Sequence, residues 1–220
     1  MMLPDTTYQS SLDKWDDHVI KKLETQNVED LISWPDRHLV GINGKPVPFH
    51  MAQNLAMDSV NRIVSMVAGT QSGKTSFGGW WLKSEIDRTA SSEGDNDYIV
   101  ITSSYPLFKL KLLPSILQVF VEILGIEKYW AGDRVIELCN PDTGQFSAKI
   151  SSDKMWGRIV LLSAESLGSL ESATARAAWL DEAGQDRFTL QAYRAVMRRL
   201  SLHRGRYLIT TTLYNLGLGS

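Results

Sequence analysis

Between an apolar run at residues 63–68 and a helix-patterned stretch behind it lies Ala68-Gly69-Thr70-Gln71-Ser72-Gly73-Lys74-Thr75. Few short segments restrict a chain as strongly. A chain that leaves a buried strand, turns through glycine-rich backbone and enters a helix aims successive N–H groups and the positive end of the helix at one point, which makes an anion site. The segment fits the pattern G-x-x-x-x-G-K-S/T, with Ala68 in place of the first glycine, and the strand-to-helix position is the context in which that pattern has chemical meaning. Gly69, Thr70, Gln71, Ser72 and Gly73 would wrap a polyphosphate with their backbone, and Gly73 lets the chain approach closely. Lys74 would set a positive charge on the β and γ oxygens, and the Thr75 hydroxyl would reach a Mg2+ ion. The cofactors this implies are ATP and Mg2+.

Alternation of apolar runs extends the motif into a fold. Phe77, Trp80, Trp81 and Ser84 fall at helical spacing behind the loop, residues 98–102 read as a second buried strand, and a mostly helical pattern covers 107–124. Strands and helices in this order build a parallel sheet, because each helix carries the chain back across one face. Short alternating strands are expected at 134–139, 145–150 and 158–162, the first two joined by the turn Asn140-Pro-Asp-Thr-Gly144 as a hairpin insertion. The rhythm resumes with a strand at 177–180, a helix at 189–200 with Leu190, Tyr193, Val196 and Met197 on one face, and a strand at 207–212. The expected class is α/β: a P-loop NTPase of the RecA-like (ASCE) kind, a mostly parallel sheet flanked by helices, with a β-hairpin insertion and a helical N-terminal arm. Leu12, Trp15, Val19 and Leu23 give the arm its helical pattern, and a Pro/Gly-punctuated connector follows. The boundaries are an arm at 1–45 and a P-loop ATPase domain at 46–220.

Ala177-Ala178-Trp179-Leu180-Asp181-Glu182 ends an apolar strand in two adjacent carboxylates, at the edge where open α/β sheets bind ligands. Asp181 would hold Mg2+ through water, and Glu182 would orient and deprotonate the water that attacks the γ-phosphate. Lys74 and Glu182 are thus the catalytic pair. Either half of the constellation is weak alone; an NTPase needs both, and the chain supplies both in order. Thr210-Thr211-Thr212 ends the next strand, where β-branched residues are good strand formers in any case; the functional reading is a hydroxyl pair touching the Glu182 region. Phe49-His50-x-x-Gln53 either begins an ordinary amphipathic helix or places an amide and a ring against a base.

Other features exclude more than they assign. No stretch approaches 18 consecutive apolar residues, and the N-terminus has neither the basic start nor the apolar core of a signal peptide, so the expected location is a cytosol. The single Cys139 cannot close an internal disulfide or build a zinc site, so a metal must be held by oxygens. With 23 Lys plus Arg against 25 Asp plus Glu, no global attraction to nucleic acid or membrane is expected. Locally, however, Arg187, Arg194, Arg198, Arg199, Arg204 and Arg206 follow one another with no acid between them. They form either a solvated helix face or a contact to phosphates of double-stranded DNA or to a neighbouring subunit's nucleotide. Trp15, Trp34, Trp80, Trp81, Trp130, Trp156 and Trp179 sit mostly in apolar patterns and are read as core.

Four segments together resemble the ATPase domain of the large terminase subunit of tailed bacteriophages. They are His50-x-x-Gln53, the loop 68–75, residues 169–185 with Trp179-Leu-Asp-Glu-Ala-Gly-Gln185, and the ending Ile209-Thr-Thr-Thr-Leu-Tyr-Asn215. The resemblance spans roughly 46–216. It implies ATP hydrolysis by a homo-oligomeric ring that drives double-stranded DNA into a procapsid in the host cytoplasm, with the portal protein and a small terminase subunit as partners. The isolated chain would be a monomer, with no membrane contact. Gln53 would read adenine, and Thr211 and Thr212 would be the coupling motif. The chain departs from the family in having Thr70 where many relatives carry an arginine and Leu213 where a proline is usual, and no arginine stands in 169–172. Arg158 and Arg176 are the remaining candidates to complete the site. The C-terminal nuclease domain expected of the family is absent from the sequence. The first RecA-like lobe of a superfamily 2 helicase shares the Asp-Glu motif and is the alternative; it would need a second lobe to supply an arginine.

Overall fold

The computed structural model describes residues 47–123, 127–140, 142–147, 155–165 and 174–212. The expected arm at 1–45 lies outside these residues, as does most of the 169–185 phrase ahead of its strand. Seven strands form one sheet: β1 (Ile63–Val67), β2 (Asn96–Thr102), β3 (Glu127–Trp130), β4 (Val135–Leu138), β5 (Gly157–Ser163), β6 (Ala177–Asp181) and β7 (Arg206–Thr211), in the spatial order β1-β7-β6-β2-β5-β4-β3. From β1 to β5 every pairing is parallel, whereas β4 runs antiparallel to β5 and β3 antiparallel to β4. β6 is buried along its whole length and β2 along all but Asp97, as continuous apolar sequences such as Tyr98–Ile101 and Ala177–Leu180 require when helices cover both faces.

Among the described residues, four helical elements accompany the sheet. They are α1 (Met51–Asp58), α2 (Lys74–Thr89), α3 and α4 (Leu190–Arg199), of which α3 is irregular, with α turns at Tyr105–Leu107 and Leu113–Leu117 and wider π turns at Phe108–Leu112 and Gln118–Ile123. Thr189 caps α4 by accepting a hydrogen bond from the Ala192 N–H at 3.2 Å. The buried face of α4, Ala192, Ala195 and Val196, then packs with Leu200 against Ile99, Ile101, Ala178, Leu180 and Tyr207. On the opposite face α2 packs on β6 and β7 and buries Phe77, Trp80, Trp81 and Leu82. Tryptophans 80, 81 and 179 are core, as their apolar setting predicts, while Trp130 and Trp156 are part-buried.

The hairpin differs from the expected one. Its strands are β3 and β4, joined through residues 131–134, and Arg134 takes a left-handed φ of 54° there. The turn after Asn140 does form, with the Gly144 N–H donating to the Asn140 carbonyl at 2.8 Å. Residues 145–147, however, are not a strand, and 148–150 lie outside the described residues. The Ser147 N–H donates to the buried Glu137 carboxylate at 2.7 Å instead of to a ladder, and Trp130 Nε1 donates to the other Glu137 oxygen at 2.9 Å. A short alternation such as 145–150 does not separate a strand from a segment tied down by a side chain. Residues 158–162, expected as a short strand, belong to β5, which is parallel to β2 inside the sheet.

The arginine run also divides. Arg187 pairs with Glu165 at 2.6 Å, and Arg194 and Arg198 are exposed on α4. Arg206 turns inward over Trp81 and donates to Glu85 at 2.5 Å, to the Asn61 carbonyl at 2.9 Å and to the Ser59 carbonyl. Glu85 is buried and also accepts from Arg88.

Helix α2 meets the sheet where Gly78 lies flat on the fully buried Trp179 indole; a Cβ there would stand 2.0 Å from Trp179 Cε2. Gly78→Ala should therefore destabilise the protein by about 1–3 kcal/mol or more through overpacking, despite alanine's better helix propensity. Gly69→Ala, with nothing within 4 Å of the added carbon, should leave the melting temperature nearly unchanged. Thermal unfolding of the two variants side by side checks this.

Candidate nucleotide-binding site

The glycine-rich loop leaves the end of β1 and enters α2 through two left-handed residues, Gln71 at φ 61° and Gly73 at φ 77°, the latter the N-cap of α2. Glycine adopts that conformation without steric cost, which is why it stands immediately before the helix. Lys74 is buried, and its three ammonium donors are all used, on the Ala68 carbonyl at 2.9 Å, the Gly69 carbonyl at 2.7 Å and Ser72 Oγ at 3.2 Å. The lysine thus clasps the loop that carries it.

Two strands away β6 delivers Asp181 to the same edge of the sheet. Its Oδ2 lies 3.5 Å from Thr75 Oγ1, and its Oδ1 accepts from Thr210 Oγ1 at 2.7 Å. Thr210 in turn accepts from Trp179 Nε1 at 2.9 Å, so an indole on β6 orients a hydroxyl on β7 that orients a carboxylate on β6. Asp181 is 3% exposed. Burial is the main cause that pushes its carboxyl up to about 6, and the neighbouring Glu182 charge adds to the rise, against the opposing effects of Thr210, Lys74 and Thr75. Glu182 follows in left-handed backbone, φ 54°, at the start of a turn closed by the Gln185 N–H on the Glu182 carbonyl at 3.2 Å. Non-glycine residues held at positive φ are uncommon, and two of them, Gln71 and Glu182, border this one cleft.

The sequence motifs therefore converge, and the structure adds residues to them. Thr211 Oγ1 accepts from the Gly184 N–H at 2.9 Å, which ties the end of β7 to the turn that carries Glu182. Thr212 is part-buried at the end of that strand. From the end of β2, Ser103 Oγ donates to Gln185 Oε1. Gln53 is brought to the loop, where its Oε1 accepts from the His50 N–H at 3.1 Å and its Nε2 donates to the Gly73 carbonyl at 3.3 Å. In this arrangement its amide serves a capping box on α1 and braces Gly73. Gly69, Thr70 and Gln71 are exposed along the loop. Trp179 and Thr210 have no motif signal of their own beyond belonging to apolar and β-branched runs.

Arg158 and Arg176 are not brought to this cleft within the chain. Arg158 donates to the Asp97 carboxylate at 2.9 Å, and Arg176 donates to the Thr89 carbonyl at 3.1 Å. Both precede or begin their strands at the opposite edge of the sheet, with Arg176 roughly 17 Å along β6 from Asp181 at about 3.3 Å per residue.

Among solved structures, the chain matches the ATPase domain of the large terminase of Thermus phage P74-26 with a TM-score of 0.58 at 17% identity, over 78% of this chain and 67% of that one. The fold is that of a large-terminase ATPase domain. The large terminase of a thermophilic bacteriophage matches with a TM-score of 0.57 at 11% identity, over 75% of this chain and 39% of that one. The large terminase of bacteriophage HK97 matches at 0.58 and 16%, over 84% and 37%. The chain thus spans well under half of these two longer terminases. The second of the three, from the thermophilic bacteriophage, has also been solved in complex with ADP and with ATP-gamma-S. No family model matches the sequence, and no curated protein does. No helix among the described residues is long and apolar enough to cross a membrane.

A buried carboxylate in a terminase-like fold has a measurable consequence for stability. The folded state keeps the Asp181 proton up to about pH 6, whereas an unfolded aspartate releases it near 3.8. Ionised Asp181 therefore costs stability, and the cost grows as pH rises between these values and is constant above them. Asp181→Asn keeps an acceptor for Thr210 and removes the charge. Without metal or nucleotide the variant should be more stable than the parent at pH 7.5, by up to about 3 kcal/mol, with the gap closing towards pH 4. Urea unfolding at the two pH values checks both the sign and the window.

Proposed function

We propose that this chain is the ATP-hydrolysing motor domain of a phage DNA-packaging terminase, which works on double-stranded DNA at a procapsid portal. The observation that carries the reading is the convergence of Lys74 and Thr75 with Asp181 at one sheet edge, with Thr75 and Asp181 oxygens 3.5 Å apart. A binding module needs only the loop; a hydrolase also needs the acids, and Glu182 stands next to Asp181 at the rim. The terminase fold and the nucleotide complexes of the thermophilic-phage terminase support the same assignment.

In this reading the loop 69–73 offers its backbone N–H groups to the phosphates, and Lys74 exchanges its carbonyl partners for β and γ oxygens. Thr75 and Asp181 are the oxygens that fit a hard cation, and the buried Asp181 carboxylate gains most from one, since an adjacent positive charge removes the penalty that raises its pKa. Bound Mg2+ would supply charge neutralisation at the phosphates. Glu182 accepts the proton of the attacking water. Thr211, bonded to the Gly184 N–H, is placed to pass a change at the Glu182 turn into β7. The charge that develops on the γ-phosphate still needs an arginine, a group worth about 10³–10⁵ in rate. With Arg158 and Arg176 at the far edge, that arginine comes from a neighbouring subunit of a ring, and a dilute monomer turns over slowly. Portal, small subunit and host cytoplasm follow from the same reading, as does the division into an arm at 1–45 and a domain at 46–220.

Lys74→Ala and Glu182→Gln separate the two roles. The first should abolish binding of ATP, measured by fluorescence or calorimetry. The second should leave the dissociation constant within about twofold and lower kcat by roughly 10² or more, because it keeps the shape and removes only the proton acceptor. Equal loss of affinity in both would end the role given to Glu182.

A further inference from the structure

One rung of the sheet crosses the site. Ser163 of β5, Thr102 of β2, Asp181 of β6 and Thr210 of β7 are register partners on four adjacent parallel strands, and none is more than 3% exposed. Register partners of a parallel sheet project to the same face, with neighbouring strands about 4.8 Å apart. That face is the one under α2. Tyr98, an even number of residues before Thr102, places its hydroxyl 3.1 Å from Thr89 of α2, and Trp179, two before Asp181, lies on Gly78 of α2. The alternate residues Ile99, Ile101, Ala178 and Leu180 face α4. The rung therefore meets the first turn of α2, where Thr75 sits.

The other members of the rung are engaged. Thr210 accepts from Trp179 and donates to Asp181, and Asp181 faces Thr75 with its second oxygen. Ser163 also has a partner. Thr102 differs: its Oγ1 is fully buried and has no hydrogen-bond partner among the described residues. A buried hydroxyl without a partner is destabilising, and valine, nearly isosteric and at least as good in a strand, would avoid that penalty. Its presence beside the buried Asp181 carboxylate calls for something that binds there.

We propose that Thr102 is a positioning residue whose hydroxyl bonds a water of the shell that Mg2+ brings to Asp181 and Thr75, so that Thr102 and Thr210 flank the carboxylate from the two adjacent strands. The inference rests on the reading of this cleft as a magnesium-nucleotide site. Mg2+ keeps several of its waters and is held through one or two protein oxygens. Among the described residues no group of three or more His, Cys, Asp or Glu gathers to hold a metal, which fits a cation held by one carboxylate, a hydroxyl and water. The orphaned Thr102 oxygen and the all-oxygen donor set fit that ion.

The test compares the full chain with Thr102→Val and Thr102→Ser. The dissociation constant of a fluorescent ATP analogue is measured in Mg2+ and in EDTA, and the melting temperature is measured without ligand. Thr102→Val should bind the analogue like the parent in EDTA but lose about three- to tenfold of the tightening that Mg2+ gives, the worth of one water-mediated bond. It should melt at or above the parent temperature without ligand, since nothing is lost there. Thr102→Ser should keep the parent's Mg2+ effect. An unchanged Mg2+ effect in Thr102→Val, an equal loss in Thr102→Ser, or a lower ligand-free melting temperature or failure to fold of Thr102→Val would overturn the assignment and leave the nucleotide site standing. A parent chain that binds no nucleotide, or binds it equally in Mg2+ and EDTA, would overturn the site reading and this inference together.

Discussion

The Asp181 carboxylate, almost wholly removed from water at the end of β6, is the constraint around which the rest of the site is arranged. A buried acid is tolerated only with strong partners or with its proton. Here the hydrogen-bond partners are neutral: a threonine hydroxyl on β7 oriented by a tryptophan on β6, and a second threonine on α2. Burial pushes the carboxyl up to about 6 against these donors and the Lys74 charge, and the group stands to gain from a further cation that reaches it. The cost is of the kind that functional sites retain at the expense of stability. It also fixes geometry, because the Trp179–Thr210–Asp181 chain works only if β6 and β7 pair in register and α2 lies flat enough on Trp179 to require glycine at 78.

The sheet divides the chain's chemistry between its two edges. At the edge where the parallel strands end lie the loop, Asp181, Glu182, Thr210, Thr211, Thr102 and Ser103. Towards the edge where they begin lie Arg158 with Asp97, and Arg206 bound to Glu85 with the Ser59 and Asn61 carbonyls. Arg206 is partly buried, and burial lowers its pKa while Glu85 works the other way, so this pair ties β7 to α2 structurally and offers nothing to a ligand. An arginine pinned at the starting edge of a strand cannot serve a phosphate at its end in the same molecule, which separates Arg158 and Arg176 from the cleft.

Much of this was legible in the residue order, and the failures have identifiable causes. The loop 68–75, the strand ending in Asp181 and Glu182, and the alternation that makes a parallel sheet all depend on contacts between near neighbours in sequence, which local pattern records well. The hairpin was misassigned because the turn at Asn140–Gly144 is real, while the partner of β4 precedes it, and a buried Glu137 satisfies the Ser147 N–H that a strand would have used. The arginine run looked uniform because sequence cannot tell an arginine on a solvated helix face, such as Arg194, from one folded inward onto Trp81 and Glu85. Gln53 was recognisable as a site neighbour, but its bonds to His50 and Gly73 could not be read from spacing alone.

By itself the sequence determined the type of turn between β1 and α2, the alternation of strands and helices that makes a parallel sheet, and the strand that ends in Asp181 and Glu182, since each is recorded by contacts between near neighbours in sequence. Only the tertiary structure decided the order of strands across the sheet. That order puts β7 between β1 and β6, which makes Thr210 rather than Thr211 the partner of Asp181, and sets β2 on the other side, so that Thr102 borders the same carboxylate. These neighbours are separated by 29 and 79 positions in the chain. Their contact follows from strand pairing and register, quantities set by the packing of whole faces against α2 and α4.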